Sequence, residues 1–316
     1  MIPGVRVGHF TDPSALTGVT VVIADQPAVG GVDVRGRAAG VHGLEFLDAR
    51  HLVPTVDAVV LAGGSAFGLE SIWGVMQWLE ERGVGFQTRH TTVPHVAGAI
   101  LYDLGVGETR GRPDRAMGYR AAAAADSGPV AQGNVGAGTG ATVGKLFGLA
   151  RAMRGGIGWA AVDVGDVTVA ALVAVNAVGD VRDPATGRLV AGARDAPDGH
   201  RLVDTAAALA AGAPPPSFQP TNTTVGVVVT SAALDKAAAA RLATRAMDGF
   251  AQSLSPPHMD TDGDTLFCLS VGRGRANPDE LGAAAGTAVA RAIVNGIFAA
   301  TSLPGLPAAR DLASSG

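Results

Sequence analysis

The 316-residue sequence has a single cysteine, and aromatic side chains make up only 4% of it. Cys268 therefore forms no intramolecular disulfide and builds no multi-cysteine metal site. It lies within Leu266-Phe267-Cys268-Leu269, which reads as a buried strand, so a core role is expected over a nucleophilic one. The seven histidines are scattered, with no HExxH and no Cys/His cluster, and no metal is expected. Charged residues are scarce at 16%, and the net charge of −4 is spread without long runs. No basic stripe stands out, which argues against a nucleic-acid partner. No uninterrupted apolar run reaches the ~18 residues of a membrane helix, and Met1 to Phe10 lacks a basic start followed by an apolar stretch. The expectation is a cytoplasmic protein with no membrane partner.

What the chain does have is small apolar residues. Hydrophobic residues reach 47% and there are 45 glycines. Val56–Ala62 reads as a buried strand that Gly63-Gly64 turns into a helix from Ser65 to Glu81. Ala116–Ala125 reads as helix and Val167–Val178 as a long buried strand. Asp180 to Gln219, with DPATG, APDG and Pro214-Pro215-Pro216, reads as turns and loop around a helical stretch at Asp204–Ala211. Thr223 to Thr230 is a β-branched strand, after which Ser231 is expected to cap a helix from Ala232 to Leu254. Leu266–Val271 reads as strand and Leu281–Ala300 as helix. Strands and helices alternate without strict βαβ order, which predicts a layered α/β or α+β fold in one catalytic domain spanning 1–316.

Several familiar motifs fail. Gly63-Gly64-Ser65-Ala66-Phe67 begins like a serine-hydrolase elbow, but Phe67 stands where the last glycine belongs. The segment Gly133–Gly144 precedes Lys145 but lacks the Ser/Thr of a phosphate loop, and no apolar strand leads into it as a dinucleotide site requires. No cofactor is expected. The glycines let the backbone approach another segment or a substrate, and Lys145 projects from that turn or lies on the surface. Asp260, Asp262 and Asp264 alternate; at period two they share one face, or they form a solvated turn.

Thr221-Asn222-Thr223-Thr224 sits between loop and strand. An internal threonine hydroxyl is a poor nucleophile. At a new N-terminus its own α-amine, with an ordinary pKa near ~8, can serve as base, and no histidine partner is required.

The ordered blocks Pro3–His9, VDAVVLAGGSAFGLE, Arg112–Tyr119, GNVGAGTGATVGK, ALVAVNAVGDV, NTTVGVVVT and DGDT resemble the DmpA-type self-processing aminopeptidases, peptidase family S58. That group includes L-aminopeptidase/D-amidases, β-peptidyl aminopeptidases and nylon-oligomer hydrolases. The resemblance implies a four-layer αββα sandwich of the DmpA/ornithine acetyltransferase type. It implies cleavage between Asn222 and Thr223 into chains 1–222 and 223–316, with Thr223 as nucleophile acting on small peptides or amides. By matching position Asn176 resembles the oxyanion-stabilising asparagine and Tyr119 a tyrosine lining the site. Lys145, Asp262 and Asp264 resemble groups beside the nucleophile in the nylon-hydrolase branch; the aminopeptidase branch has Ser, Ser and Glu where this chain has Thr223, Asp262 and Asp264. A homo-oligomer, tetrameric in the family, is implied as well. The alternatives are an ornithine acetyltransferase-like acyl transferase, a non-catalytic uncleaved homologue, and a Ser65 hydrolase.

Overall fold

The computed structural model describes residues 2–214 and 222–313. In chain order its main elements are β1 (Val5–Asp12), β2 (Thr17–Val34), β3 (Val56–Ala62), α1 (Glu70–Glu80), β4 (Val96–Ile100), α2 (Arg115–Ala123), β5 (Gly156–Val164) and β6 (Val167–Val175). They continue with β7 (Val225–Ala232), α3 (Lys236–Ala246), α4 (Asp248–Ser253), β8 (Thr265–Gly274) and α5 (Pro278–Ala299). The hydrogen-bonded order is β5-β6-β7-β8-β2-β3-β4, closed by the short strand Val41–His42, with β1 on the first half of β2.

The long strand β2 belongs to two sheets. Its first half pairs with β1 and β3, and its second half, Val29–Val34, pairs with β8. Residues Asp25, Gln26 and Pro27 are exposed between the halves, where the ladder to β3 shifts register.

Side-chain alternation then sorts the core into three slabs. In β3, Val59 and Leu61 face one slab while Ala58, Val60 and Ala62 face another. In β6, Leu172 and Ala174 join Val59 and Leu61, while Ala171, Val173 and Val175 face the opposite way into the third slab. The shared slab lies between the two sheets. The outer slabs are covered by α1 and α2 on one side and by α3, α4 and α5 on the other. This is the four-layer αββα arrangement. Both faces of β6 are covered, so VTVAALVAV is apolar almost throughout instead of alternating with polar residues.

Local departures have local causes. The expected helix from Ser65 is a 3-10 turn, Ser65–Leu69, followed by α1. Strand β7 runs through Ser231 to Ala232, so Ser231 caps nothing; Asp235 caps α3 by accepting the Ala238 N–H at 2.7 Å. Between Asp180 and Val203 the expected loop contains short strands. Buried Asp180 ties them together by accepting from Ala193 N at 2.9 Å and from Thr205 N at 2.6 Å. The rest of that expected loop, including Pro215 and Pro216, lies outside the described residues, as does Thr221 of the Thr221–Thr224 motif.

Helix α5 is long and apolar enough to cross a membrane by length and composition, but 67% of its most apolar stretch is buried inside the fold. It lies so close to β5 that a Cβ on Gly158 would stand 2.0 Å from the Ala292 carbonyl oxygen. Gly158→Ala is therefore expected to push the helix off the sheet at a cost of about 1–3 kcal/mol. Thermal unfolding should show a melting temperature several degrees lower; an unchanged value would contradict this packing.

Candidate active site

Strand direction assembles the site. Strands β7 and β8 run parallel, with Val225 opposite Thr265. Strand β6 runs antiparallel to β7, with Ala174 opposite Val225. The starts of β7 and β8 and the end of β6 therefore meet at one end of the sheet. Residues just outside those ends are Asn222 and Thr223, Asp262 and Asp264, and Asn176.

Asn222 and Thr223 are both buried. The Thr223 hydroxyl is in hydrogen-bonding contact with the Asn222 carbonyl oxygen. That oxygen also accepts the Gly263 N–H at 3.2 Å, and the Thr223 N–H donates to the Asn176 carbonyl at 3.1 Å. The 222–223 peptide is thus held at its oxygen, its nitrogen and the adjoining hydroxyl.

Asn176 is fully buried. Its side-chain oxygen accepts from Thr142 N at 3.0 Å and from Lys145 Nζ at 3.0 Å, and its Nδ2 donates to the Tyr102 carbonyl at 3.0 Å. Two donors on one amide atom and a carbonyl on the other fix the orientation of the amide. One Nδ2 hydrogen is left over for a further acceptor.

Lys145 is delivered by the glycine-rich segment. Gly144 has φ +72, and a Cβ there would meet the Gly192 carbonyl carbon at 1.9 Å. The turn sends Lys145 inward, where Nζ donates to the Asn176 main-chain oxygen at 2.9 Å as well as to its side chain. Burial pulls the Lys145 pKa down, opposed by the charges of Asp262 and Asp103. Burial likewise pushes the Asp262 pKa up, with the nearby Asp264 charge adding to the rise and Lys145 opposing it. Both groups are driven toward their neutral forms.

The aspartates do not share a strand face. They lie in the turn before β8, where Asp262 and Asp264 are buried and Asp260 is exposed, paired with Arg37 at 3.4 Å. Asp262 accepts from Met259 N at 3.1 Å, and Asp264 Oδ1 accepts from Thr224 N at 2.8 Å. Gly36, at φ +80, backs this turn: Arg37 and Ala38 donate to the Asp262 carbonyl, each at 3.0 Å.

Tyr119 is not brought to this cluster. It lies on α2, and its hydroxyl donates to Glu81 beside α1 at 2.7 Å. The tyrosine at the site is Tyr102, just beyond β4, whose carbonyl holds Asn176. Its neighbour Asp103 is buried, accepts from Thr17 Oγ1 and Gly64 N at 2.7 Å each, and is pushed by burial up to about 6. Sequence reasoning also passed over His258. Its ring Nδ1 lies 2.8 Å from Asp264 Oδ2, and only its proximity to DGDT could have marked it. Ser65 has φ 56, and among the described residues no hydrogen bond joins its hydroxyl to a histidine. Nor does any group of three His, Cys, Asp or Glu among the described residues converge as a metal site would.

A buried, pre-positioned hydroxyl against a peptide carbonyl, with amide donors and buried carboxylates around it, defines a site for acyl chemistry on an amide. The chain belongs to peptidase family S58, whose family model matches residues 2–310. It is a hydrolase of peptide or amide bonds. It is 40% identical to an uncharacterized aminopeptidase of Mycobacterium tuberculosis, over 98% of this chain and 96% of that one. It is 35% identical to the 6-aminohexanoate-oligomer endohydrolase of Kocuria sp., over 85% of this chain and 73% of that one. Among solved structures it resembles the L-aminopeptidase D-Ala-esterase/amidase of Ochrobactrum anthropi, described as a variant of the Ntn hydrolase fold. The TM-score is 0.73 at 20% identity, covering 99% of this chain and 92% of that one. A Burkholderia sp. β-aminopeptidase matches with TM-score 0.70 at 24% identity, over 99% and 91%. These likenesses establish the Ntn-hydrolase fold.

A Cβ at Gly36 would stand 2.1 Å from the Asp262 carbonyl oxygen, on a backbone that already has positive φ. Gly36→Ala is therefore expected to displace the Asp262–Asp264 turn without altering any reacting group. Displacements near 1 Å cost up to ~100-fold in rate, so amide hydrolysis should fall at least ~10-fold while the chain still folds. Wild-type turnover in the folded variant would show that the turn does not position the site.

Proposed function

We propose that the chain is a self-processing amide hydrolase that cleaves itself between Asn222 and Thr223 and then uses Thr223 as an N-terminal nucleophile. The observation that carries this reading is the contact of the Thr223 hydroxyl with the Asn222 carbonyl, within a peptide held at both its oxygen and its nitrogen. In the precursor, Thr223 Oγ bonds to the Asn222 carbonyl carbon as the hydroxyl proton passes to the Thr223 nitrogen. The C–N bond then breaks, leaving an ester on Oγ and a free α-amine. The Gly263 N–H, already on the carbonyl oxygen at 3.2 Å, is placed to stabilise the developing oxyanion. Water hydrolyses the ester and releases the Asn222 carboxylate, giving one catalytic unit made of 1–222 and 223–316.

In turnover the freed amine takes the hydroxyl proton while Oγ attacks a substrate amide, and then passes that proton to the leaving nitrogen. The amine inherits the Asn176 carbonyl as a partner, which Lys145 Nζ also contacts at 2.9 Å. The spare Nδ2 hydrogen of Asn176 supplies an oxyanion donor, Asp264 holds the Thr224 N–H, and Asp262 ties the turn to Met259 and Val178. Tyr119, held by Glu81, has no part in this mechanism. Water finally hydrolyses the acyl-Thr223 ester.

Thr223 with Asp262 and Asp264 supports a place near the nylon-oligomer hydrolase-like branch, with small peptides or linear amides as substrates. The same reading includes a homo-oligomer of cleaved protomers, tetrameric by resemblance, in the cytoplasm. Exposed Trp73 and Phe86 are consistent with a buried contact in such an assembly.

Denaturing electrophoresis with intact mass tests the cleavage. Wild type should give two chains meeting between Asn222 and Thr223, and Thr223→Ala should stay whole and inactive. Asn176→Ala should slow hydrolysis of an aminoacyl p-nitroanilide or amide oligomer by ~10²–10³. A wild-type chain that stays whole yet hydrolyses amides would overturn the proposal.

A further inference from the structure

His258 sits six residues before Asp264 in the turn that leads into β8, with its backbone at φ 53. A non-glycine residue holds that left-handed conformation where its surroundings impose it. Here it aims two groups at one carboxylate oxygen. Asp264 Oδ2 lies 3.3 Å from the His258 main-chain N and 2.8 Å from ring Nδ1. The ring plane is set from the other side by Phe250, stacked at 5.7 Å and 23°.

The tautomer follows from accounting for the hydrogens. Ring Nε2 is buried without a hydrogen-bond partner. A proton on Nε2 would be an orphaned buried donor, whereas a proton on Nδ1 has Asp264 to receive it. With Nδ1–H, three donors converge on Asp264: the His258 ring, the His258 amide, and the Thr224 amide at 2.8 Å on the opposite oxygen. A carboxylate is the acceptor-only group that this set of donors fits.

Thr224 is the residue after the nucleophile. Once the 222–223 bond opens, Thr223 is no longer held covalently from its N-terminal side. What remains are its own amine contact to Asn176 and the grip on Thr224, whose N–H goes to Asp264 and whose carbonyl accepts Thr265 N–H at 3.0 Å. We propose that His258 is a positioning residue that clamps the Asp264 carboxylate and, through it, the Thr224 amide, so that Thr223 keeps its line to Asn176 after the chain is cut. The inference rests on the self-cleavage reading above.

Two substitutions separate ring from backbone. His258→Gly accepts the left-handed backbone but has no ring donor. His258→Asn accepts that backbone and carries an N–H₂ group near the Nδ1 position. The cleavage half-time of the precursor is read by electrophoresis, and kcat and KM are then measured on matured protein. His258→Gly is expected to slow both cleavage and kcat at least ~10-fold with KM within about 2-fold, and His258→Asn to recover to within about 3-fold of wild type. A His258→Gly enzyme with wild-type rates, or a folded His258→Asn enzyme no better than His258→Gly, would overturn the clamp. Nitrogen-15 NMR of the wild-type imidazoles, with His258 assigned by its loss in His258→Asn, is an independent check. An Nδ1-protonated ring supports the proposal and an Nε2-protonated ring overturns it. A wild-type chain that neither cleaves nor hydrolyses would sink the self-cleavage reading, while the tautomer would still report on the clamp.

Discussion

The main-chain carbonyl of Asn176 is the acceptor on which the site depends. It takes the Thr223 N–H at 3.1 Å and the Lys145 side chain at 2.9 Å, while the side chain of the same residue takes Lys145 and Thr142 and hangs from Tyr102. Three segments distant in sequence, at Tyr102, Thr142–Lys145 and Thr223, are thereby indexed to one residue at the end of β6. Hydrogen bonds to charged groups are each worth about 1.5–3 kcal/mol, but leaving such buried groups unpaired costs as much again. If Lys145 moves, both oxygens of Asn176 lose a donor, although the side-chain oxygen keeps Thr142 and the main-chain oxygen keeps the Thr223 N–H.

Electrostatics sharpen this arrangement. Lys145 and Asp262 are buried charges that both lean toward neutrality, while a third group, Asp103, is raised by burial to about 6. Burial thus opposes the charged form at all three groups. Asp264 is arranged differently. Its two oxygens accept three N–H groups, those of the Thr224 amide, the His258 amide and the His258 ring.

Strong local patterns made much of this legible in sequence. The run VTVAALVAV reads as a long buried strand, which the structure shows covered on both faces, and the strand after Thr223 was marked by β-branching. The glycine-rich segment was readable as a close backbone approach, though not its destination: only the packed fold shows Gly144 against Gly192 and Lys145 on Asn176. The failures were failures of tertiary context. Ser231 looks like a helix cap, but pairing of β7 with its neighbours carries the strand past it to Ala232 and hands capping to Asp235. Asp260, Asp262 and Asp264 alternate as a strand would, yet a turn buries two and exposes one. Tyr119 and Tyr102 are the only tyrosines, and nothing in spacing tells which of them reaches Asn176. The carbonyl that decides it belongs to the backbone, which has no sequence signature. His258 was invisible for a similar reason: its importance comes from a left-handed backbone and a ring stacked on Phe250, both properties of the folded turn.

Sheet order also explains how the proposed cut between Asn222 and Thr223 would leave the protein assembled. The segment after Thr223 supplies β7 and β8, which lie side by side between β6 and β2 of the first segment. Opening one peptide bond at the sheet end removes no ladder hydrogen bond between those strands. It leaves Val225, Val227 and Val229 in the central slab and Val228 and Leu266 in the outer one. Such a cut would therefore free an amine without freeing the strand that carries it. Parallel pairing of β7 with β8 completes the logic: because both strands start at the same end, the nucleophile and its carboxylates arrive together however far apart they stand in sequence. An antiparallel pair would have placed Asp262 and Asp264 at the opposite end of β7 from Thr223. The chemistry at this site is thus a consequence of strand direction first and of residue identity second.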